Sequence, residues 1–360
     1  MKPADRDARE NGERRPPRLR DHPGYPFRPE IQASLAPEAA GFVNAPDPGA
    51  EQGVLLREFV HLSRCFAFLE RIIQGDILYD LPVHLQTALA PDLSMAEQGE
   101  RLAAEELGLI DWQPGPSGEL AGVLDDLGIK VFFREGVVND RDDLLWGAFR
   151  YTGEVGPAIV VGTTADDPRA SFVLSHEFGH LVADVSPYRP RCCSWEPRNL
   201  TNARPAPEEE RADRFARALL MPAAVIRALL AQLAAPGPTE TAGDPREEQI
   251  ARVFEAPASL VARRLEDLGL PPLPIPAFPD ERRSAPADGD PRDDSPGLVL
   301  PVRYVNLALA AYGNGIADED ELARFLDSDL EGARRMIEWA QLAPRTPRAE
   351  HKPGAPPSTG

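Results

Sequence analysis

Leu55, Phe59, Leu62, Phe66, Leu69 and Ile73 recur every three or four residues, the spacing of one helical face, and Gly75 is placed to end that helix. Ser94 followed by Glu97 is a capping box and opens a second helix running to near Gly108. Leu120, Val123, Leu124 and Leu127 mark a third, stopped by Gly128. The pattern then changes period. Runs at 129–133, 144–151 and 158–161 are short and rich in β-branched and aromatic residues, with Gly, Asn and Asp between them, which predicts a small sheet. Helical spacing returns over 168–184, where Asp167 and Pro168 supply an N-cap and a first-turn proline, and again over 207–220. Residues 245–270 read as a helical hairpin broken at Ala256-Pro257. Residues 304–312, 319–326 and 330–342 read as three helices whose Leu322, Phe325, Leu326, Met336, Ile337 and Trp339 form a small core. The fold class is therefore α+β, a small sheet among helices with a helical C-terminal module.

Composition places the boundaries. Thirty-nine prolines in 360 residues mean that long stretches cannot be regular structure. Residues 1–52 carry many prolines and charges with only scattered apolar residues such as Tyr25, Phe27 and Phe42, and are expected to be a disordered tail. Residues 271–298 read as a Pro/Asp-rich linker and 345–360 as a second tail, leaving a main domain at 53–270 and a small helical one at 299–344. A net charge of −19 repels polyanions, so nucleic acid is not the expected partner of the whole molecule. No apolar run approaches the ~20 residues that span a bilayer, and the charged first residues have no hydrophobic segment behind them. Three cysteines, two of them adjacent, cannot form a disulfide framework. Together these features predict a cytoplasmic protein with no membrane partner.

The chemistry lies on the 168–184 helix, in His176-Glu177-Phe178-Gly179-His180. Residues four apart share a helical face with Cβ atoms about 5–6 Å apart, so two imidazoles can bind one tetrahedral Zn²⁺. Glu177 points about 100° away around the axis, where it can reach an attacking water without being a ligand, as a general base must. With only six histidines in the chain, this spacing around a glutamate is a specific signal. The competing interpretation is a structural zinc with four protein ligands, one of them from Cys192-Cys193.

A catalytic zinc needs a third protein ligand and an open position. The 207–220 helix offers one, because its apolar face of Ala212, Phe215, Ala216, Leu219 and Leu220 puts Glu209 on the buried side. Asp213, one turn on, is the candidate to orient a ligand histidine. Glu208, Glu209 and Glu210 also complement the positive end of the helix, but that does not decide which faces inward. Gly179 costs about 1 kcal/mol in mid-helix, which close approach of another backbone would justify and simple tolerance would equally explain.

These residues resemble the ImmA/IrrE family of zinc metallopeptidases, in which an HExxH helix is followed by an E-x-x-A-[ND]-x-F-A-x-x-L-[LM]-M-P helix. Here the second element reads Glu209-Glu210-Arg211-Ala212-Asp213-Arg214-Phe215-Ala216 and continues to Leu219-Leu220-Met221-Pro222, with Asp213 where asparagine is common. The resemblance covers roughly residues 55–270, and more weakly 299–342. It implies a zincin-like fold, His176, His180 and Glu209 as zinc ligands in a gluzincin-like set, and Glu177 as catalytic base. The implied activity is limited cleavage of a helix-turn-helix repressor in stress response or mobile-element regulation. Residues 1–52 do not read as a DNA-binding domain, so that repressor is expected to be a separate protein.

An endopeptidase would pair its substrate strand with a sheet edge, for which residues 158–161 are the candidate, and Tyr151, Arg150 and Tyr188 are candidates to stabilise the oxyanion. The alternative is a transcriptional regulator or interaction scaffold whose zinc is structural or sensory and whose 245–270 hairpin binds DNA through Arg263 and Arg264. The acidic residues Glu247, Glu248, Glu255, Glu266 and Asp267 offset those arginines and disfavour direct DNA binding.

Overall fold

The computed structural model describes residues 18–43, 45–47, 49–77, 79, 89–110, 112–113, 117–134, 146–185, 191–197, 206–234, 246–270 and 297–342. A 3₁₀ turn at Leu19–Asp21 leads into α1 (Pro29–Ala40), α2 (Glu51–Gln74), α3 (Met95–Leu109) and α4 (Ser117–Asp126). Three strands follow, β1 (Lys130–Arg134), β2 (Trp146–Thr152) and β3 (Gly156–Val161), then α5 (Ala170–Asp184), β4 (Arg191–Pro197), α6 (Pro207–Leu220) and α7 (Ala223–Ala234). The remaining elements are α8 (Arg246–Phe254), α9 (Ala258–Asp267), β5 (Leu298–Val299), α10 (Val302–Gly313), α11 (Glu319–Phe325) and α12 (Leu330–Leu342). No single helix among the described residues is long and apolar enough to cross a membrane.

Local chemistry accounts for the helix ends. Gly75 closes α2 in the left-handed conformation, and the Ser94–Glu97 capping box opens α3 with both reciprocal hydrogen bonds made. The predicted start of α5 at residue 168 is two residues early. Asp167 accepts hydrogen bonds from the Arg169 backbone N–H (2.8 Å) and from Thr163 Oγ1 (2.7 Å), which holds Pro168 and Arg169 in a turn ahead of the helix.

The sheet runs in the order β4-β2-β3-β1-β5, with β1 and β3 parallel and the other pairs antiparallel. Every residue of β1 and β3 is buried, because both faces of the sheet are covered. Val131, Phe133, Phe149, Ile159 and Val161 face a core that includes Val173, Leu174 and Phe178 of α5 and Phe215 and Leu219 of α6. On the opposite face, Phe132 meets Phe59 and Phe66 of α2 edge to face, with ring centroids 5.8 and 6.4 Å away. The expectation that residues 158–161 form an open edge is therefore corrected: β3 pairs with β1 on one side and β2 on the other.

The expectation of a disordered tail over 1–52 does not hold for its described residues. Tyr25, Ala39 and Phe42 are buried, with Tyr25 against Phe68 and Phe42 against Phe59 of α2, and Glu38 of α1 pairs with Arg64 and Arg150. Burial of each of these rings, on the order of 2 kcal/mol, works against the ordering cost that composition alone would leave unmet.

Two compact units emerge. The larger spans Arg20–Tyr304 and contains the whole sheet. Among the described residues, the smaller comprises Arg18, Leu19 and the chain from Val305 to Leu342, so the three C-terminal helices appear close to their predicted positions. Within the smaller unit, Leu19 N–H donates to the Ile316 carbonyl (3.4 Å) and Arg18 pairs with Asp318 (3.3 Å).

Candidate metal centre

Helices α5 and α6 cross beneath the sheet and bring the predicted site residues together. His176 Nε2 and His180 Nε2 are 3.0 Å apart. Glu209 Oε2 lies 3.2 Å from the first and Oε1 3.3 Å from the second. One ligand atom from each of the three residues falls within 4.8 Å of the others, a group of a size that could hold a metal ion. Glu209 is the half-buried member of the Glu208–Glu210 run while its neighbours are exposed, as the amphipathic pattern of α6 predicted.

The outer nitrogens of both rings are engaged. His176 Nδ1 lies 3.0 Å from Asp213 Oδ1, and His180 Nδ1 lies 2.7 Å from Asp184 Oδ2. A carboxylate can only accept, so each Nδ1 carries the proton, and in a neutral ring each Nε2 then presents a lone pair. Two lone pairs and a carboxylate thus converge on one point. Such a set repels itself unless a cation lies between its members, and two imidazole nitrogens with a carboxylate suit a divalent metal.

The same demand for positive charge governs the titration of the group. Burial opposes the His180 imidazolium, but hydrogen bonds to Asp184 and Glu209 and the charge of Glu177 push its pKa up to about 10. Burial likewise acts to raise the carboxyl of Glu209, and the two histidines outweigh it and hold the group far below the usual range. Asp184 is held low against its burial by His180 and by Arg211, whose guanidinium also reaches Gln98 Oε1 at 3.4 Å.

Glu177 is fully buried beside β2. A Cβ on Gly147 would collide with its Oε1 and lie 2.8 Å from its Cγ and Cδ, so a side chain at 147 would displace the carboxylate. Two residues along the same strand, the Phe149 ring stacks on His180, with centroids 5.3 Å apart and planes at 9°. Gly179 is also a close-packing position: of the two explanations left open for it, neither backbone approach nor simple tolerance holds, because a Cβ there would meet the Phe215 ring at 2.8 Å. Backbone contact occurs instead at Gly99 of α3, where a Cβ would strike the Arg211 carbonyl and sit 2.9 Å from Phe215 N.

Other candidates lie elsewhere. Arg150 points to the sheet face opposite the site, bonded to Ser63 Oγ (2.8 Å), to the Val60 carbonyl (3.2 Å) and to Glu38, which removes it as an oxyanion partner. Tyr151 shares the face of Phe149, and its hydroxyl is 2.9 Å from that of Tyr79. Tyr188 and the side chains of Cys192 and Cys193 fall outside the described residues. In the hairpin, Arg264 is fully buried and binds Glu100 through two 2.6 Å contacts, while Arg263 pairs with Glu266 at 2.9 Å. The reading of the residues missed Asp184, Arg211 and Gly147. Only Asp184 left a signal, an acid one turn beyond His180 on the same helix.

Residues 124–266 match the IrrE N-terminal-like domain, Peptidase_M78. The match begins within α4, takes in β1 to β3 and both ligand-bearing helices, and ends within α9. No curated protein and no solved structure matches the chain significantly. The chain therefore carries a span that matches this peptidase family, and His176, His180 and Glu209 all lie within it.

Proposed function

We propose that the chain is a zinc-dependent endopeptidase of zincin-like fold that makes limited cuts in a partner protein, a separate helix-turn-helix repressor. The observation that carries the reading is the convergence of His176, His180 and Glu209 with Glu177 one residue from the first ligand. These three side chains would hold zinc, which when bound supplies Lewis acidity toward a peptide carbonyl and toward water. Glu177 takes the proton of the attacking water and delivers it to the leaving amine. Asp213 and Asp184 fix the tautomer and orientation of the two rings. The buried Phe149 ring stacks on the His180 imidazole and covers that face of it. The family resemblance supports a repressor as the partner.

Metal analysis of wild type beside His176→Ala and Glu209→Ala, followed by incubation with helix-turn-helix repressors, tests both parts. The expected result is about one zinc per wild-type chain, loss of the metal in both variants, and repressor cleavage by wild type alone. Glu177→Gln should keep the zinc and lose cleavage by about 10²–10⁴-fold. Retained cleavage in that variant would overturn the mechanism. Firm zinc binding with no Glu177-dependent cleavage would favour the sensory-zinc regulator instead.

A further inference from the structure

We infer that Arg191–Pro197 is an intramolecular strap that occupies the peptide-binding edge of the site and must yield before a substrate strand can bind. The inference rests on the endopeptidase reading, and it starts from β2, the strand that touches the site. Gly147 lies against Glu177 and the Phe149 ring stacks on His180, so β2 meets the catalytic group through its backbone and one ligand through a side chain. An extended peptide gains most of its affinity from main-chain hydrogen bonds to a sheet edge. The edge that would set such a peptide beside Glu177 is the side of β2 facing away from β3.

That edge is taken by the chain itself. β4 runs antiparallel to β2 along its full length, from Trp146 opposite Pro197 to Thr152 opposite Arg191, and Gly147 stands opposite Glu196. The segment therefore lies where an incoming strand would have to lie. The other sheet edge, β5, pairs among the described residues only with β1 and is separated from β2 by two strands, so it offers no equivalent place beside the site.

β4 is also the strand least tied to the sheet beside the site. Among the described residues it is outermost in the order and held by one ladder, whereas β2, β3 and β1 are each paired on both sides. Pro190 and Pro197 bracket it, and proline has no N–H to donate, so the pairing cannot extend as a regular ladder beyond these ends. Four prolines fall in residues 186–206, the segment that joins the two ligand-bearing helices. Displacing such a strand breaks one ladder and leaves α5, α6 and the ligand set in place. The strap acts as a pseudo-substrate, excluding unselected peptides until a partner with enough binding energy replaces it.

The test uses the full chain carrying Glu177→Gln, so that binding is read apart from cleavage, with fluorescein-labelled casein as an unfolded polypeptide probe followed by anisotropy. Replacing residues 191–197 with seven alternating Gly and Ser residues should lower the Kd for casein at least tenfold. Unchanged or weaker binding overturns the inference, since β4 would then be a bystander or part of the binding surface. A second variant covers loss of folding in the first. Thr152→Cys with Arg191→Cys, in a chain whose Cys192 and Cys193 are replaced by Ser, should bind casein at least tenfold more weakly when oxidised than when reduced. Equal binding in the two states also overturns it. Zinc content and Glu177-dependent cleavage by the otherwise wild-type chain report separately on the endopeptidase reading, so either idea can fail visibly without the other.

Discussion

Gly147 and Glu177 share a space that admits no additional methyl group, and this fixes where the proposed base stands. Gly147→Ala leaves every ligand atom untouched but pushes the carboxylate away from β2. Displacement of a reacting group by about 1 Å costs on the order of 10²-fold in rate. The expected outcome is a kcat lowered by about that factor at unchanged zinc content, and an unaltered kcat would mean that Glu177 is not the group whose position matters. Asp184 acts on the other side of the site. Its oxygen holds His180 Nδ1, and Arg211 holds Asp184. Asp184→Ala frees the ring and should weaken zinc binding by about 10–100-fold in a competition titration against a chromophoric chelator. Asp213→Asn keeps an acceptor oxygen opposite His176 and should cost clearly less than Asp213→Ala in the same titration.

Helices α3 and α6 come closest at Gly99, where the two backbones leave no room for a Cβ. Since Glu209 rides on α6, Gly99→Ala is expected to lower both stability and zinc affinity. Overpacking of this kind costs about 1–3 kcal/mol, read as a fall in the denaturant midpoint, and a variant that lost stability but kept full affinity would show that α6 can shift without moving its ligand. The elements that build this junction were legible in the chain because each carries its own signal. The capping box of α3, the apolar stripe of α5 and the single inward glutamate of α6 are all local patterns. What was not legible depends on contacts distant in sequence. Residues 29–40 form a helix because Tyr25, Phe42 and Glu38 find partners on α2 and β2, which no composition count can register. Arg-Cys-Cys-Ser-Trp-Glu-Pro is a strand because β2 offers it an edge, and β5 is one because β1 does. Gly147 lay in a predicted strand, but its need for a missing side chain arises only when α5 packs beneath it.

Across the larger unit, several charged groups are buried, and one of the buried carboxyls predicts how stability responds to pH. Lys130 and Glu70 are both fully buried and 2.9 Å apart, and Arg303, just after β5, bonds Glu70 and Asp125. Burial lowers the Lys130 pKa and raises that of Asp125, with the partner's charge opposing the shift in each case. Glu106 lies on α3. It too is fully buried, but burial and then the nearby charge of Glu105 act in the same direction and push its carboxyl up to about 8. The folded state therefore holds this proton more tightly than the unfolded chain does. Its contribution is complete below the ordinary glutamate range near 4.5 and is lost as pH rises through about 8, so stability falls with rising pH across that window. Each pH unit there costs up to about 1.4 kcal/mol, an upper bound of about 5 kcal/mol across the whole window. Glu106→Gln carries no titrating proton and nearly the same volume. Its melting temperature should decline less than wild type between pH 6 and pH 9, with the gap in favour of the variant widest at pH 9. Parallel declines in the two proteins would assign the pH dependence to another group and leave Glu106 charged at neutral pH.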